Sequence, residues 1–413
     1  MHMTRRVFLK SGALAVASTA ALPAFLKRAA LGIEAGGSGT RRLIVIFQRG
    51  AADGLNIVIP HGEPSYYTMR PTIRVPRGSE LDLDGFFGLH PAMSALEPLF
   101  RQRHLAVVHA AGSPDKTRSH FDAQDYMESG TPGVKSTGDG WLNRSLQGLA
   151  GQTVPLRAVA LRPTMPRILS GEEPAVAFND IQSFAGGGRN SPAGWPGNVF
   201  QQMYADSADR LLHASAQEAF EAARMLKLVN PHDYTPAPGA DYPRGRFAND
   251  LRQLAQLIKS QVGVEIAFAE IGGWDHHVNE GSTEGQLANL SQEFSQSLAA
   301  FWTDLGDLGE ETVIVTMSEF GRTARENGNR GTDHGHGNVM FVLGGRVRGG
   351  KVYGRWPGLA PEQLNEGRDL VLTTDFRQVL AEALHRQLGI GDLASVFPGF
   401  HTASSQFLGL LPG

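Results

Sequence analysis

Cysteine is missing from all 413 residues, which excludes disulfides, thiolate zinc sites, iron–sulfur clusters and a cysteine nucleophile. Charge is also scarce, at 19% of residues against a usual ~25%. The 38 basic and 41 acidic side chains nearly cancel, so no bulk positive field draws nucleic acid to this chain. Beyond the N-terminus no uninterrupted apolar run approaches the roughly 18 residues of a membrane span, so no stable membrane insertion is expected of the mature chain. No G-x-G-x-x-G follows the first expected strand, which removes the usual dinucleotide fingerprint. What is abundant is glycine, 50 residues, which implies many tight turns and close backbone approaches. Apolar residues, at 41%, suffice for a sizeable core.

The chain opens with a basic run containing Arg5, Arg6 and Lys10, followed by a weakly apolar stretch from Ser11 to Leu26. That layout is an export signal, and the paired arginines are its twin-arginine form. Residues 1–35 are therefore expected to be an address, cleaved between Ala24 and Ala35. The twin-arginine translocation machinery would be a partner and the periplasm or the extracellular space the destination. An amphipathic first helix is the competing account. Export in the folded state suits a protein that loads a metal before it crosses.

Residues 40–413 read as one α/β domain with loop insertions. Leu43-Ile44-Val45-Ile46-Phe47 is apolar without alternation, as in a strand covered on both faces. Similar runs recur at 105–109, 156–161, 264–269, 312–316 and 339–343. Helical spacing separates some of them, as at Phe247, Leu251, Leu254 and Ile258, and at Leu290, Phe294, Leu298 and Phe301. Strands alternating with helices predict a mostly parallel central sheet sandwiched between helices. Residues 60–86, 184–198 and 231–244 are rich in Pro and Gly and read as irregular insertions.

In open α/β sheets ligands bind beyond the carboxyl ends of the strands. Here those ends run into Arg49-Gly50-Ala51-Ala52-Asp53-Gly54, into Gly272-Gly273-Trp274-Asp275-His276-His277 and into Ser318-Glu319-Phe320-Gly321-Arg322-Thr323. A fourth loop, Gly331-Thr332-Asp333-His334-Gly335-His336-Gly337, leads into the strand at 339–343. Asp and His together are the donor set of a divalent metal, zinc or manganese, when no thiolate is available. With Asp53 and Glu319 added there are donors for one or two ions, and two ions clamp both oxygens of a displacement. His276 and His277 are adjacent and cannot easily both face one ion, so one of them is expected to lie behind the other's ion or to bridge to a substrate.

Ser119 precedes the expected helix 123–128, between Arg118 and His120. A hydroxyl there lies beside free backbone amides and suits an anion. Next to a cation it becomes a nucleophile, although a helix-capping serine is the plainer reading. Arg49 and Arg322 would hold a phosphate or sulfate by paired hydrogen bonds, or else order their loops by ion pairs to Asp53 or Glu319. Trp274 and Trp356 read as packing residues.

The ordered motifs Arg49–Asn56, Ser119–Gln124, Gly272–Asp275, Glu319–Thr323 and Gly331–Gly335 resemble the twin-arginine-exported bacterial family catalogued as domain of unknown function 1501, from the signal to about Gly389. That family looks like a member of the alkaline phosphatase and sulfatase superfamily. The resemblance implies an alkaline phosphatase-like fold and a metal centre beside a Ser or Thr nucleophile. It matches Asp53 to a metal-binding acid, Ser119 to the nucleophile, Asp275 and His277 to ligands of one ion, and His334 or His336 to the late histidine. One departure stands out: Ser318-Glu319 occupies the place of an Asp-His pair, which puts the second metal in doubt.

The leading expectation is an exported metal-dependent hydrolase of small anionic phosphate or sulfate esters. Ser119 would be its nucleophile, with His120, Arg49 and Arg322 around the substrate. The alternative is a non-catalytic exported binding protein on the same scaffold. A redox enzyme is suggested by the export route alone.

Overall fold

The computed structural model describes residues 40–150, 154–184, 221–226 and 234–413. The expected export signal lies outside these residues, as do nearly all of the 184–198 insertion and the start of the 231–244 segment. All six apolar runs are strands of one nine-stranded sheet. They are β1 (Arg42–Gln48), β2 (Leu105–Gly112), β3 (Ala158–Leu161), β5 (Ile266–Ile271), β6 (Thr312–Met317) and β7 (Asn338–Gly344). Three short strands complete it: β4 (Val176–Phe178), β8 (Val352–Tyr353) and β9 (Thr374–Asp375). At two or three residues these are too short to show periodicity.

The order is β8-β2-β7-β6-β1-β5-β3-β4, with β9 also on β2. Every pairing is parallel except those of β7, which runs antiparallel to both β2 and β6. The register sets Val45 of β1 between Phe268 of β5 and Val315 of β6.

The continuous apolar runs follow from cover on both faces. Alternate side chains point to opposite sides of a strand. Ile44, Ile46, Ala267, Ala269, Ile314 and Phe341 face α3 (Arg246–Lys259) and α4 (Gln286–Leu305), where Phe247, Leu251, Phe294 and Phe301 receive them. Leu43, Val45, Phe47, Phe268, Val313 and Val315 face the other way. They meet Trp141 and Leu142 of α2 (Trp141–Gln147) and Val379 and Leu380 of α5 (Phe376–Leu388). Each such side chain contributes roughly 1.5–3 kcal/mol by leaving water. A polar residue at these positions would lose that and add a desolvation cost.

The sheet also decides where the loops go. β6, β1 and β5 are adjacent and parallel, so the loops after Met317, Gln48 and Ile271 leave side by side at one edge. Antiparallel β7 begins at that same edge, which brings the loop before Asn338 there too. Beyond β7, strand β2 ends at Gly112 and the chain enters α1 (His120–Ser129) from the same side. Five loops thus share one rim. No helix among the described residues is long and apolar enough to cross a membrane.

His109 of β2 is buried against Phe87 and Trp356, with ring centroids 5.0 Å away in each case. Trp356 is thus a packing residue, as expected. The His109 Nε2–H donates to the Val58 carbonyl (3.0 Å), and Nδ1 accepts from the Ala110 amide (2.9 Å). A second proton would displace that amide, and burial pushes the imidazole pKa down to about 4. Between pH 6.5 and 4 the unfolded chain therefore binds a proton that the folded one refuses. Stability from this group is present above about 6.5 and is lost as pH falls toward 4, by up to about 1.4 kcal/mol per pH unit. Replacing His109 with Gln should flatten the acid limb of urea-unfolding free energy against pH by about that slope; parallel limbs for the two proteins would refute it.

Candidate metal centre

The rim gathers four side chains at one point. His120 opens α1, Asp275 and His277 follow β5, and His334 precedes β7. The Nε2 atom of His334 lies 3.0 Å from Nε2 of His120 and 2.9 Å from Nε2 of His277. Oδ1 of Asp275 lies 3.0, 3.4 and 3.6 Å from the Nε2 atoms of His277, His334 and His120. One ligand atom each from His120, Asp275 and His334 fits within 4.8 Å, and His277 joins them through two of those contacts.

The protons on the rings say what this arrangement needs. His334 Nδ1 faces the Arg118 carbonyl at 2.8 Å, and a carbonyl only accepts, so Nδ1 carries the hydrogen. Its Nε2 is then a lone pair, and burial holds the ring pKa below the ordinary value. That single lone pair meets two imidazole nitrogens and stands near a carboxylate oxygen, and it can accept a hydrogen from only one of them. A cation at their centre serves all four at once. His120 Nδ1 donates to Glu319 Oε1 (2.8 Å), and Asp333 Oδ1 stands 3.4 Å from His277 Nδ1. A carboxylate or carbonyl behind each ring, turning Nε2 outward, is the usual support of metal-binding histidines. Three imidazole nitrogens and one carboxylate oxygen suit zinc or manganese.

Arg322 organises the loops around this point. It is fully buried, donating from Nε to Ala51 O (2.6 Å) and from Nη1 to Thr332 O (3.3 Å). Its Nη2 reaches Gly50 O (2.5 Å), Trp274 O (3.1 Å) and Asp275 Oδ1 (2.6 Å). Burial alone would raise the Asp275 pKa, but the Arg322 hydrogen bond and charge hold it below the usual range. Glycine permits the close nesting. A Cβ on Gly50, whose φ is +115°, would lie 2.8 Å from the Asp275 nitrogen, and one on Gly335 would lie 2.3 Å from the Arg322 carbonyl carbon.

Several expected roles change. Arg49 does not face the site: Nε binds Glu270, Nη1 donates to Gln124 (2.9 Å) and Nη2 to Glu128 (2.7 Å). The buried Arg322 likewise has no edge left for a substrate oxygen. Glu319, also buried, accepts from Gly50 N (2.9 Å), His120 Nδ1 and Gln124 Nε2 (2.8 Å), so it supports His120 rather than joining the four. Asp53 caps the short helix Gly54–Ile57 and is paired by both oxygens with buried Arg70. Burial and the nearby Asp53 raise the Glu280 pKa well above the usual carboxyl range, and its side chain adds a further bond to Asp53. Both acids expected for a second ion are therefore engaged elsewhere. His276 turns inward, its pKa lowered to about 4 by burial, and His336 is half-buried near Asp369 and Arg118. Asp333 stands behind His277. Trp274 packs on Phe294. Ser119 is exposed at the N-cap of α1, and its hydroxyl bonds no helix amide.

His120 was expected near the substrate and lies instead among the donor atoms. Arg70, Glu128 and Glu270 were not singled out, and Gln124, though part of the Ser119–Gln124 motif, was given no role. The signal for two of them was present: His120, Gln124 and Glu128 recur every four residues and form one polar stripe down α1.

These features define an α/β protein whose sheet edge carries a three-histidine, one-aspartate cluster. A profile described as "Protein of unknown function (DUF1501)" matches residues 40–398, and the chain belongs to that family. Among solved structures it is similar to the PsFucS1 sulfatase from Pseudoalteromonas sp., at 12% identity and TM-score 0.36 over 80% of this chain and 68% of that one. It is also similar to the lipoteichoic acid synthase LtaP from Listeria monocytogenes, at 9% identity and TM-score 0.33 over 76% and 71%. No curated protein sequence matches.

Arg49 ties α1 to the ends of β1 and β5, and its removal would leave Glu128 to the Ile168 amide and Glu270 to Arg162 alone. Breaking such a pair costs about 3 kcal/mol, the low end of the range because Arg49 and Glu270 keep some solvent. Denaturant unfolding of Arg49→Met should show that loss, with Arg49→Lys recovering part of it. A cost below about 0.5 kcal/mol, typical of an unremarkable surface site, would show the network to be slack.

Proposed function

We propose that the protein is an exported hydrolase of small phosphate or sulfate esters that works with a single divalent metal ion. One observation carries the proposal: a lone pair fixed on His334 Nε2 confronts His120, His277 and Asp275 within 3.4 Å. His120, Asp275, His277 and His334 would hold the ion, zinc or manganese. The engagement of Asp53 by Arg70 and of Glu319 by His120 supports one ion rather than two. A bound ion supplies positive charge that favours an ionised hydroxyl and an anionic ester.

Ser119 is the nucleophile in this reading. It directly precedes His120, is exposed, and caps nothing with its hydroxyl. The amides of the first turn of α1 lack intrahelical acceptors, as in any helix, because the first such bond runs from Ala123 N to Ser119 O. These N–H groups and the helix dipole favour an anion beside Ser119. Attack by the Ser119 oxygen forms the new bond to phosphorus or sulfur while its proton passes to solvent. The ester oxygen leaves with its electron pair and takes a proton from water. A water molecule then cleaves the serine ester, releasing phosphate or sulfate and restoring the hydroxyl. The N-terminal twin-arginine pattern supports delivery by the translocation machinery to the periplasm or beyond.

A second reading has its own observation. Arg49 and Arg322 are both consumed within the protein, so neither guanidinium serves substrate oxygens, and four protein donors resemble a closed metal site. A non-catalytic exported metal-holding protein would look the same.

Elemental analysis after gentle purification should find about one zinc or manganese per chain, falling below about 0.2 in His334→Ala, as loss of a tight site requires. A screen of aryl phosphates, diesters and sulfates should then find turnover that Ser119→Ala lowers at least about 100-fold with metal retained. Metal without turnover would favour the second reading, and no metal would end both.

A further inference from the structure

We infer that Asp369 is a positioning residue for the metal centre, acting on His334 through two arginines. This rests on the metal-centre reading above. Asp369 lies in the irregular segment before β9, its side chain fully buried. One oxygen accepts from Arg118 Nη2 at 2.6 Å, and the other from Arg368 Nε at 2.9 Å. Both arginines then reach His334. The Arg118 carbonyl takes the Nδ1 hydrogen of the His334 ring at 2.8 Å, while Arg368 Nη2 donates to the His334 carbonyl at 2.5 Å. Ring and backbone of the central ligand are thus held from a single carboxylate.

The backbone repeats the arrangement. Residues 321–324 lie between the two loops: Arg322 bridges His334, and Thr323 bridges Asp369. Ala324 N donates to Arg368 O at 3.0 Å, and Asn365 N to Asp369 O at 2.8 Å. Glu366 adds a second carboxylate on Arg118 at 2.8 Å, on the solvent side. Two guanidiniums on the residues that hold His334 would oppose a cation there unless neutralised. Asp369 supplies that negative charge while fixing the direction of the Arg118 carbonyl, and therefore the tautomer of His334. The consequence is that metal affinity depends on a residue that touches no donor atom, much as partners behind metal-binding histidines do elsewhere.

The test uses cobalt(II) as the probe, titrated into chelator-stripped full-length protein and followed by visible absorption, with the melting temperature of the metal-free form measured alongside. Asp369→Asn should weaken cobalt binding about ten- to hundredfold and shift the ligand-field bands. Arg368→Met, at an arginine whose side chain is 44% exposed, keeps the fold safe and separates two causes. Removing its charge alone would tighten cobalt binding, whereas loss of its hold on the His334 carbonyl weakens it about three- to tenfold on the same basis. Weaker binding with altered bands in both variants supports the inference. Unchanged affinity and spectrum, with or without a lower metal-free melting temperature, would make Asp369 a loop staple and overturn it. Tighter binding in Arg368→Met would overturn it as well. Absence of any cobalt site in the unaltered protein would instead bring down the metal-centre reading itself.

Discussion

A hydrogen bond from the His334 ring to the Arg118 carbonyl orients the ring at the centre of the rim. A carbonyl cannot give a proton, so the far nitrogen of that ring is a bare lone pair. Two imidazole nitrogens within 3.0 Å and a carboxylate oxygen at 3.4 Å converge on it. A cation at their centre would meet all four donor atoms at once. The acids behind the rings are arranged to the same end, since Glu319 and Asp333 face the other nitrogens of His120 and His277.

The fold makes this crowding possible over long stretches of sequence. Parallel β6, β1 and β5 deliver three loops side by side, and the reversal of β7 returns a fourth to the same edge. Buried Arg322 then binds carbonyls from three of the four loops and holds the Asp275 carboxylate at the cluster. Its charge is spent on backbone, which is why it offers nothing to a ligand. Arg49 does similar work on the other side, joining Glu270, Gln124 and Glu128. Two arginines that sit in loops of the right kind are thus parts of the frame.

The strands were legible because burial on both faces leaves an apolar run that no other element of that length requires; Leu43–Phe47 is the clearest case. The place of the site was legible too, since glycine, aspartate and histidine gather after those runs. Which acid does what was not. Asp53 and Glu319 look alike as loop acids, and only the tertiary structure shows Arg70, at the end of the helix Pro64–Met69, claiming the first and His120 claiming the second. His276 and His277 are likewise equivalent on paper, and the turn after Asp275 sends one ring inward and the other to the cluster. Asp369 carried no signal, because its partners Arg118 and Arg368 act on His334 partly through backbone atoms that no side-chain pattern encodes.

X-ray absorption spectroscopy at the K edge of the zinc or manganese carried by the purified protein tests the central claim most directly. The account predicts a shell of three imidazoles, with their outer-ring scattering, and at least one carboxylate oxygen, losing one imidazole in His120→Ala. A shell of oxygens without imidazole scattering, or one indifferent to that substitution, would place the ion elsewhere and contradict it.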